Sequence, residues 1–326
     1  MRPRRDTEYI FAVARIRVLE RGLLTDDDIR QMCGMPDVKS VVSYLADKGW
    51  GDGNGQVEPE ELISQEQDKT LRLMHELRVD PVVFEVLSCP KYYHNVKCAI
   101  KEICSDIEVR RAYYDLPGFG EEELKKVFAE NDTSKLPEDM RKAATRAFDV
   151  MSSTGDGQWC DVILDKACLV QMRKDAYASK SQILIDYVEA NVSSADIKIA
   201  FRAVRTGKDL HFLQEALAPC RDLDVKRIAQ AAVKGEPELR SYLEAGRFRD
   251  AVEALERSNS EFERWCDNQL IEALRPQKTN SVSVGPIVAF DLAKENELRN
   301  VRIIVTAKAN GFSEQETLER MREMYG

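Results

Sequence analysis

The residues of this chain that are able to do acid–base or phosphate chemistry do not form a known catalytic pattern. Asp161 and Asp165 are four residues apart, a spacing that places both carboxylates on one face of a helix. No histidine or other metal-binding residue accompanies them, and paired carboxylates on a helix are usually just solvated. Gly207 and Lys208 do not end a phosphate-binding loop, because Arg202 stands where its first glycine is required. We therefore predict no catalytic residue and no bound cofactor.

The residue types that bind metals also lack a suitable spacing. Asp52, Asn54 and Gln56 alternate like the start of a calcium-binding loop, but Val57 stands where that loop needs glycine and Ile63 where it needs glutamate. The eight cysteines include no CxxC pair, and only three histidines are present. We interpret the cysteines as reduced core residues and predict no metal site.

The composition is typical of a soluble helical protein. Hydrophobic residues make up 43% of the chain and aromatic residues only 7%. The formal net charge is −9, and acidic and basic residues are interspersed, which argues against a nucleic-acid partner. No stretch approaches the roughly 18 apolar residues of a membrane span. We predict a soluble all-α protein; if it works at a membrane, another subunit must hold it there.

The most informative stretch is residues 295–325, which predicts two helices joined by Gly311. Apolar residues surround most of the first helix, so we expect other helices to cover it. Gly311 follows the last apolar residue, where a left-handed backbone suits a residue without a Cβ atom. Ser313 and Glu316 have the spacing of a capping box at the start of the second helix.

Weaker versions of this helix–glycine–helix arrangement occur earlier in the chain. The glycines are separated by 96, 89 and 104 residues, and they are Gly22, Gly118, Gly207 and Gly311. Similar spacing favours internal duplication over the alternative, the helix–glycine–helix joints common in any helical protein. We predict three similar helical-bundle domains: residues 1–88, residues 89–192, and residues 193–326 with the closing C-terminal helix pair.

Prolines and capping residues predict where individual helices begin and end. Pro90 should separate two helices, because proline lacks the N–H that a helix interior uses. Residues 191–196 hold capping residues that should start the helix of the third domain. Residues 253–274 have uninterrupted helical spacing and predict one long helix.

Taken together, several stretches resemble a known family. They are Tyr9, ARIRVLERGLL at 14–24, HNVK at 94–97, LDKACLVQM at 164–172 and ENELRNVRIIVTAKANGFSEQETLERMREMY at 295–325. These stretches are similar to the C subunit of the bacterial and archaeal V/A-type rotary ATPases, the counterpart of the d subunit in the eukaryotic vacuolar enzyme. One departure occurs at Lys91, Tyr92 and Tyr93, where the family often carries an acidic residue.

The resemblance implies a funnel-like protein with pseudo-threefold symmetry that is a non-catalytic part of a rotor. Its implied partners are central-stalk subunits of the D and F types and the membrane proteolipid ring, which moves protons or sodium ions. The implied location is cytoplasmic and peripheral to the membrane through that ring. The residues that match family motifs, in structural or interface roles, are Tyr9, Arg15, Arg17, Gly22, Asn95, Lys97, Asp165, Asn300, Arg302, Lys308, Gly311 and Tyr325.

Two other kinds of protein remain as alternatives. A soluble helical repeat adaptor would bind protein partners without any membrane motor, and an enzyme with an unfamiliar helical active site would need a pocket with convergent polar groups. An open stack of repeats would carry polar caps at both ends, whereas the apolar C-terminal helix must be covered. The packing of that helix therefore distinguishes a closed protein from an open adaptor.

Overall fold

The computed structural model describes residues 9–52, 57–105 and 113–326 of the chain. These residues form sixteen α-helices and three short 3-10 helices, and no strand occurs among them. The predicted all-α class is therefore confirmed. Asn54 and Gln56, from the rejected calcium pattern, lie outside the described residues.

The helices divide into two compact units. The first unit comprises Met1–Asp80, Ser181–Ala190 and Phe248–Gly326. Besides the beginning of α9, its helices are α1 (Ile10–Leu19), α2 (Asp26–Gly34), α3 (Val38–Asp47), α4 (Pro59–Glu76), α13 (Arg249–Arg257), α14 (Asn259–Leu274), α15 (Gly285–Ala309) and α16 (Glu314–Leu318).

The second unit comprises Pro81–Lys180 and Asn191–Arg247. Its helices are α5 (Pro81–Cys104), α6 (Glu121–Ala129), α7 (Glu138–Thr154), α8 (Gly157–Ser179), most of α9 (Gln182–Thr206), α10 (Leu210–Ala216), α11 (Val225–Lys234) and α12 (Glu236–Glu244). Within this unit α5 packs along α8, and α7 packs against both.

In the first unit the core forms around α15. This helix contacts α1, α2, α3, α4 and α16, so helices from the beginning of the sequence cover it. Its residues Leu298, Val301 and Ile304 are at most 2% exposed and belong to one apolar cluster with Leu24 and Trp50. The prediction that other helices cover the apolar C-terminal helix is confirmed.

The capping residues behave largely as the sequence indicates. Thr25 and Asp28 form a capping box at the start of α2, and Ser313 and Glu316 form one at the start of α16. Gly311 has a φ of 71°, so the predicted left-handed turn is confirmed.

Three predicted helix boundaries are wrong. Pro90 lies inside α5, where Cys89 and Tyr93 on either side are buried, because packing outweighs the loss of one backbone hydrogen bond. Residues 191–196 lie inside the continuous helix α9. Residues 253–274 are split, because the Ser258 side chain accepts a hydrogen bond from the N–H of Glu261 and caps α14 after α13 has ended.

Candidate functional site

Asn300 attaches the C-terminal segment of the chain to α15. Its Nδ2 donates to the carbonyl of Arg322, and its Oδ1 accepts from the N–H of the same residue, both at 3.0 Å. One turn earlier, Asn296 donates to the carbonyl of Glu323. A buried amide that pairs with both backbone groups of one residue satisfies groups that would otherwise be buried without partners. The Asn300 side chain thus fixes the position of the chain end.

Asn95 makes the equivalent contacts in the second unit. Its Nδ2 donates to the carbonyl of Tyr114 at 2.8 Å and its Oδ1 accepts from the N–H of Tyr114 at 2.9 Å. The same Nδ2 also donates to the carbonyl of Phe119. Asn95 is fully buried. Both family-motif asparagines therefore hold a non-helical segment against a long helix.

Lys97 and Asp165 form an ion pair between α5 and α8. The ammonium lies 2.6 Å from the carboxylate. Burial works to lower the pKa of Lys97, but Asp165 outweighs it and the pKa is raised. One turn further along α5, Lys101 makes a second pair with Asp161. The two aspartates that sequence analysis considered for catalysis are thus engaged by lysines and join two helices.

The remaining motif residues on α15 contact other helices of the first unit. Lys308 Nζ donates to the carbonyl of Cys33 at the end of α2. Arg302 is exposed, and its guanidinium donates to the Gln67 side chain at 3.2 Å. These contacts tie the last long helix to helices near the beginning of the chain.

The motif residues of α1 and the chain end also lie in the first unit. The Arg17 guanidinium forms an ion pair with Glu20 and donates to the carbonyls of Gln277 and Asn280. Tyr325 is 2% exposed, and burial raises its pKa to about 12. The Lys278 ammonium lies 4.9 Å from the centre of its ring.

Other motif residues near α1 are arranged differently. Arg15 forms an exposed ion pair with Glu76 of α4 at 2.6 Å. Tyr9 precedes α1 and is buried. Gly22 ends the 3-10 turn Glu20–Gly22 without a positive φ, unlike Gly118, Gly207 and Gly311.

A buried charged cluster lies beside these residues, and sequence analysis missed it. Lys294 Nζ lies 2.7 Å from Glu297 and 3.2 Å from Glu66, and all three side chains are less than a tenth exposed. Glu297 also accepts from the N–H of Leu24, and the Lys294 ammonium lies 4.6 Å from the centre of the Trp50 ring. Burial raises the pKa of Glu297, although Lys294 opposes the change. The available signal was the three-residue spacing of Lys294 and Glu297 on an apolar helix.

A cleft of about 420 Å³ opens onto this cluster within the first unit. Trp50 and Thr70 belong to its wall, and the charged side chains that line it are Arg15, Lys48, Lys69, Arg72, Lys294, Glu66 and Glu76. Among the described residues Arg72 has no ion-pair partner. The Nε1 of Trp50 is buried without a hydrogen-bond acceptor within the described part of the chain. The cleft thus presents mainly basic side chains.

Side chains able to bind metals are dispersed, and the helices are not of the membrane-spanning kind. Among the described residues no group of three or more His, Cys, Asp or Glu side chains is arranged to hold a metal ion. The eight cysteines are free, and six of them are buried, as predicted for core residues. Within the described ranges no helix has the length and hydropathy to span a membrane.

The family of this chain follows from its sequence taken as a whole. The sequence model of the family described as "ATP synthase (C/AC39) subunit" matches residues 12–320. The chain belongs to this family. The match includes both long motif helices, α5 and α15, and the charged cluster of Glu66, Lys294 and Glu297.

Two curated proteins align with this member of the ATP synthase (C/AC39) subunit family over nearly their whole length. The C subunit of the V-type sodium ATPase of Enterococcus hirae is 22% identical over 321 residues, covering 95% of this chain and 97% of that protein. The C subunit of the A-type ATP synthase of Haloquadratum walsbyi is 23% identical over 338 residues, covering 95% and 96%. The resemblance to the C subunit of V/A-type ATPases is therefore confirmed.

The motif residues of this family member do not converge on one pocket. Asn95, Lys97 and Asp165 lie in the second unit, and the others lie in the first. The first unit brings Arg17 and Tyr325 close together, and only Arg15 and Gly22 among the motif residues line the basic cleft. Most of these side chains satisfy backbone groups or pair with opposite charges inside their own unit.

Proposed function

We propose that this chain is a non-catalytic rotor subunit of a V/A-type ATPase or ATP synthase. It couples the central stalk to the membrane proteolipid ring during ATP-linked transport of protons or sodium ions. The observation that carries the proposal is the family match across residues 12–320. Two relatives named as the C subunit of such complexes, each covered over at least 96% of its length, support it.

The packing of the first unit supports a part that transmits torque. Such a part must resist deformation, and α15 is joined to earlier helices by Lys294 with Glu66, by Glu297 with Leu24 and by Lys308 with Cys33. Buried charged contacts of this kind fix one arrangement of helices, because any other leaves a charge without a partner. An open repeat adaptor has no need to cover its last helix with its first ones, so the closed packing favours the rotor.

The outer face of α1 is the surface that we assign to the ring. Ile10, Phe11 and Val18 are 51%, 79% and 67% exposed, and Leu19 is 38% exposed. The opposite face of α1 buries Ala12, Val13 and Ile16 in the unit. A helix that is apolar on both faces is normally buried, and a free protein rarely exposes such a face without a partner. A ring of apolar proteolipid subunits has the matching chemistry.

The basic cleft is the surface that we assign to the central stalk. The contact between this chain and the stalk must be able to separate, and a polar contact allows this better than an apolar one. Arg72 at the cleft, which has no ion-pair partner in the described part of the chain, provides a positive charge for an acidic side chain of the stalk. The stalk subunits would be those of the D and F types.

The chain would consist of three similar helical bundles, residues 1–88, 89–192 and 193–326, arranged as a funnel with pseudo-threefold symmetry. It would lie on the cytoplasmic face, peripheral to the membrane through the proteolipid ring. It would itself hydrolyse no ATP.

Affinity purification of the tagged full chain from detergent-solubilised membranes tests the proposal, with mass spectrometry of what is recovered. We expect stalk and proteolipid subunits in the eluate and no ATPase activity in the isolated chain. The double variant Phe11→Ser and Val18→Ser should lose the proteolipids and keep the stalk subunits. Its matched control is Val170→Ser with Val233→Ser, at 40% and 49% exposed positions of the second unit, and should lose neither.

The cleft has its own matched pair of variants. Arg72→Glu should weaken recovery of the stalk subunits, whereas Arg257→Glu, at an exposed position at the end of α13, should not. Reproducible recovery of other soluble proteins in place of stalk and ring subunits would contradict the rotor assignment and support the adaptor.

A further inference from the structure

A six-residue pattern occurs three times in the long helices of this protein. It is NVKCAI at 95–100 in α5, DIKIAF at 196–201 in α9 and NVRIIV at 300–305 in α15. The three helices are 24, 25 and 25 residues long, and in each the pattern begins nine or ten residues before the last helical residue. The first side chain is 0% exposed in every case. The three positions are therefore equivalent by sequence, by place in the helix and by burial.

At two of these positions an asparagine amide pairs with both backbone groups of one residue in the non-helical segment that follows. Asn95 pairs with Tyr114, and Asn300 pairs with Arg322. In each pair Oδ1 accepts from an N–H and Nδ2 donates to the carbonyl of the same residue. We call this arrangement the amide clip.

The third position carries an aspartate that makes only half of the clip. Asp196 Oδ1 accepts from the N–H of Ala218 at 3.0 Å, as the asparagine Oδ1 atoms do. Its Oδ2 is buried with no hydrogen-bond donor among the described residues. Ala218 follows α10 by two residues and, like Tyr114 and Arg322, lies in a non-helical segment. An ionised carboxylate at this point would keep one charged oxygen buried without a donor, which is unfavourable.

We propose that Asp196 is held as the neutral carboxylic acid, so that its Oδ2–H donates to the carbonyl of Ala218 and completes a third clip. A protonated carboxyl has one O–H donor and retains an acceptor oxygen, which is the same hydrogen-bonding capacity that the clip takes from asparagine. Because the clip then depends on a proton, it is a pH-sensitive contact between α9 and the segment that follows α10.

The charges around Asp196 agree with this assignment. Burial raises the pKa of Asp196 to about 7, although the N–H of Ala218 and the charge of Lys166 on α8 both oppose the change. Lys166 donates instead to the carbonyl of Gln214 on α10. Glu215, also on α10, is paired with Arg146 of α7 at 2.7 Å. No charged side chain of the described residues forms an ion pair with Asp196 that would hold it ionised.

The sign of the pH effect follows from the raised pKa. A carboxyl that is more basic in the folded protein takes up a proton on folding at pH values between its unfolded and folded pKa. Its contribution to stability is therefore fully present at and below about pH 4, declines as pH rises towards about 7, and is constant above that value. The clip should thus open over the neutral range.

Thermal unfolding of the full chain, followed by circular dichroism, tests the proposal with three variants. Relative to wild type, the Tm of Asp196→Asn should increase by about 5 °C when the pH is raised from about 5 to about 8, because the amide needs no proton. Asn300→Asp should show the opposite trend, since it introduces a titrating clip. Asp149→Asn, at an exposed position of α7, should follow wild type at both pH values.

Infrared spectroscopy gives a second measurement that does not depend on unfolding. We expect a protonated-carboxyl band in the wild type at about pH 6 that is weaker in Asp196→Asn and unchanged in Asp149→Asn. If the band is absent from the wild type, or if the Tm of Asp196→Asn runs parallel to that of the wild type across this range, Asp196 is ionised and the proposal is wrong.

Discussion

The ammonium of Lys294 lies 3.2 Å from the carboxylate of Glu66, and both side chains are less than a tenth exposed. Lys294 belongs to α15 and Glu66 to α4, so this contact joins the last long helix to a helix early in the chain. Glu66 also accepts from the N–H of Gly51 and from Lys69. This buried carboxylate is therefore bonded to two ammonium groups and one backbone N–H, so its charge is not left without partners.

Replacing the buried ammonium should destabilise the first unit strongly. We expect Lys294→Met to lower the free energy of unfolding by about 3–5 kcal/mol, because Glu297 would remain buried without a positive partner and Glu66 would keep only Lys69. Urea unfolding measures the change. Lys39→Met, at an exposed position of α3, should stay within about 0.5 kcal/mol of wild type.

A compensated variant separates lost charge pairing from lost packing. Adding Glu66→Gln and Glu297→Gln to Lys294→Met should recover part of the loss, since no unpaired charge is then buried. If Lys294→Met is no more destabilising than Lys39→Met, the cluster does not stabilise the unit.

Removing the Asn300 amide should loosen the end of the chain. Asn300→Ala leaves the N–H and carbonyl of Arg322 without their partners and should cost about 2–4 kcal/mol. It should also expose the terminal segment to carboxypeptidase. Asn310→Ala, at an exposed position whose side chain donates to the carbonyl of Thr306, should change neither stability nor cleavage. Equal cleavage of both variants would contradict the role given to Asn300.

A pair of glycine variants measures the stability cost of a side chain at the left-handed turn. A Cβ atom at either Gly311 or Gly22 would meet no atom within 4 Å, but only Gly311 has a positive φ. Gly311→Ala should therefore cost about 1 kcal/mol through backbone strain alone, whereas Gly22→Ala should be neutral or slightly stabilising. A loss of the same size at both positions would show that φ is not the cause.

The decrease in the free energy of unfolding at acid pH should depend on Asp28. Burial works to raise the pKa of its carboxyl, but hydrogen bonds from Lys48, Tyr44 and Thr25 outweigh burial and hold the pKa well below its usual range. A depressed pKa means that the stabilisation is present above about pH 4 and is lost as pH falls towards the folded value.

The matched variants Asp28→Asn and Asp27→Asn measure this contribution. Asp28→Asn should lower the free energy of unfolding by about 1–3 kcal/mol at neutral pH, and the difference from wild type should shrink below about pH 4. Asp27 is adjacent but 89% exposed in its side chain, so Asp27→Asn should have little effect. A difference for Asp28→Asn that is constant from neutral to acid pH would contradict the assignment.

The sequence predicted most of the local structure because local signals dominate in helices. Gly311 and the Ser313 capping box are determined by a few neighbouring residues, and both occur as expected. Pro90 was misjudged because its helix survives through packing, which a single sequence does not reveal. The break at Ser258 was missed because apolar periodicity continues across it.

The charged cluster and the clips were beyond sequence analysis for a different reason. Glu66 and Lys294 are far apart in the chain, and nothing in their local spacing indicates that they meet. Asn300 was recognised as a motif residue, but its partner Arg322 lies after the short helix α16 and could not be inferred. Long-range polar contacts depend on how the apolar faces of the helices pack. They cannot be predicted from a sequence until that packing is known.

The most direct test of the central claim is ATP-driven ion uptake by inverted membrane vesicles from the source organism lacking this chain. We predict that uptake is lost while the catalytic head still hydrolyses ATP, because the stalk then turns without driving the ring. Expression of the full chain, or of Val170→Ser with Val233→Ser, should restore uptake, whereas Phe11→Ser with Val18→Ser should not. Uptake at the wild-type rate in vesicles without the chain would contradict the claim that it couples the two parts of the motor.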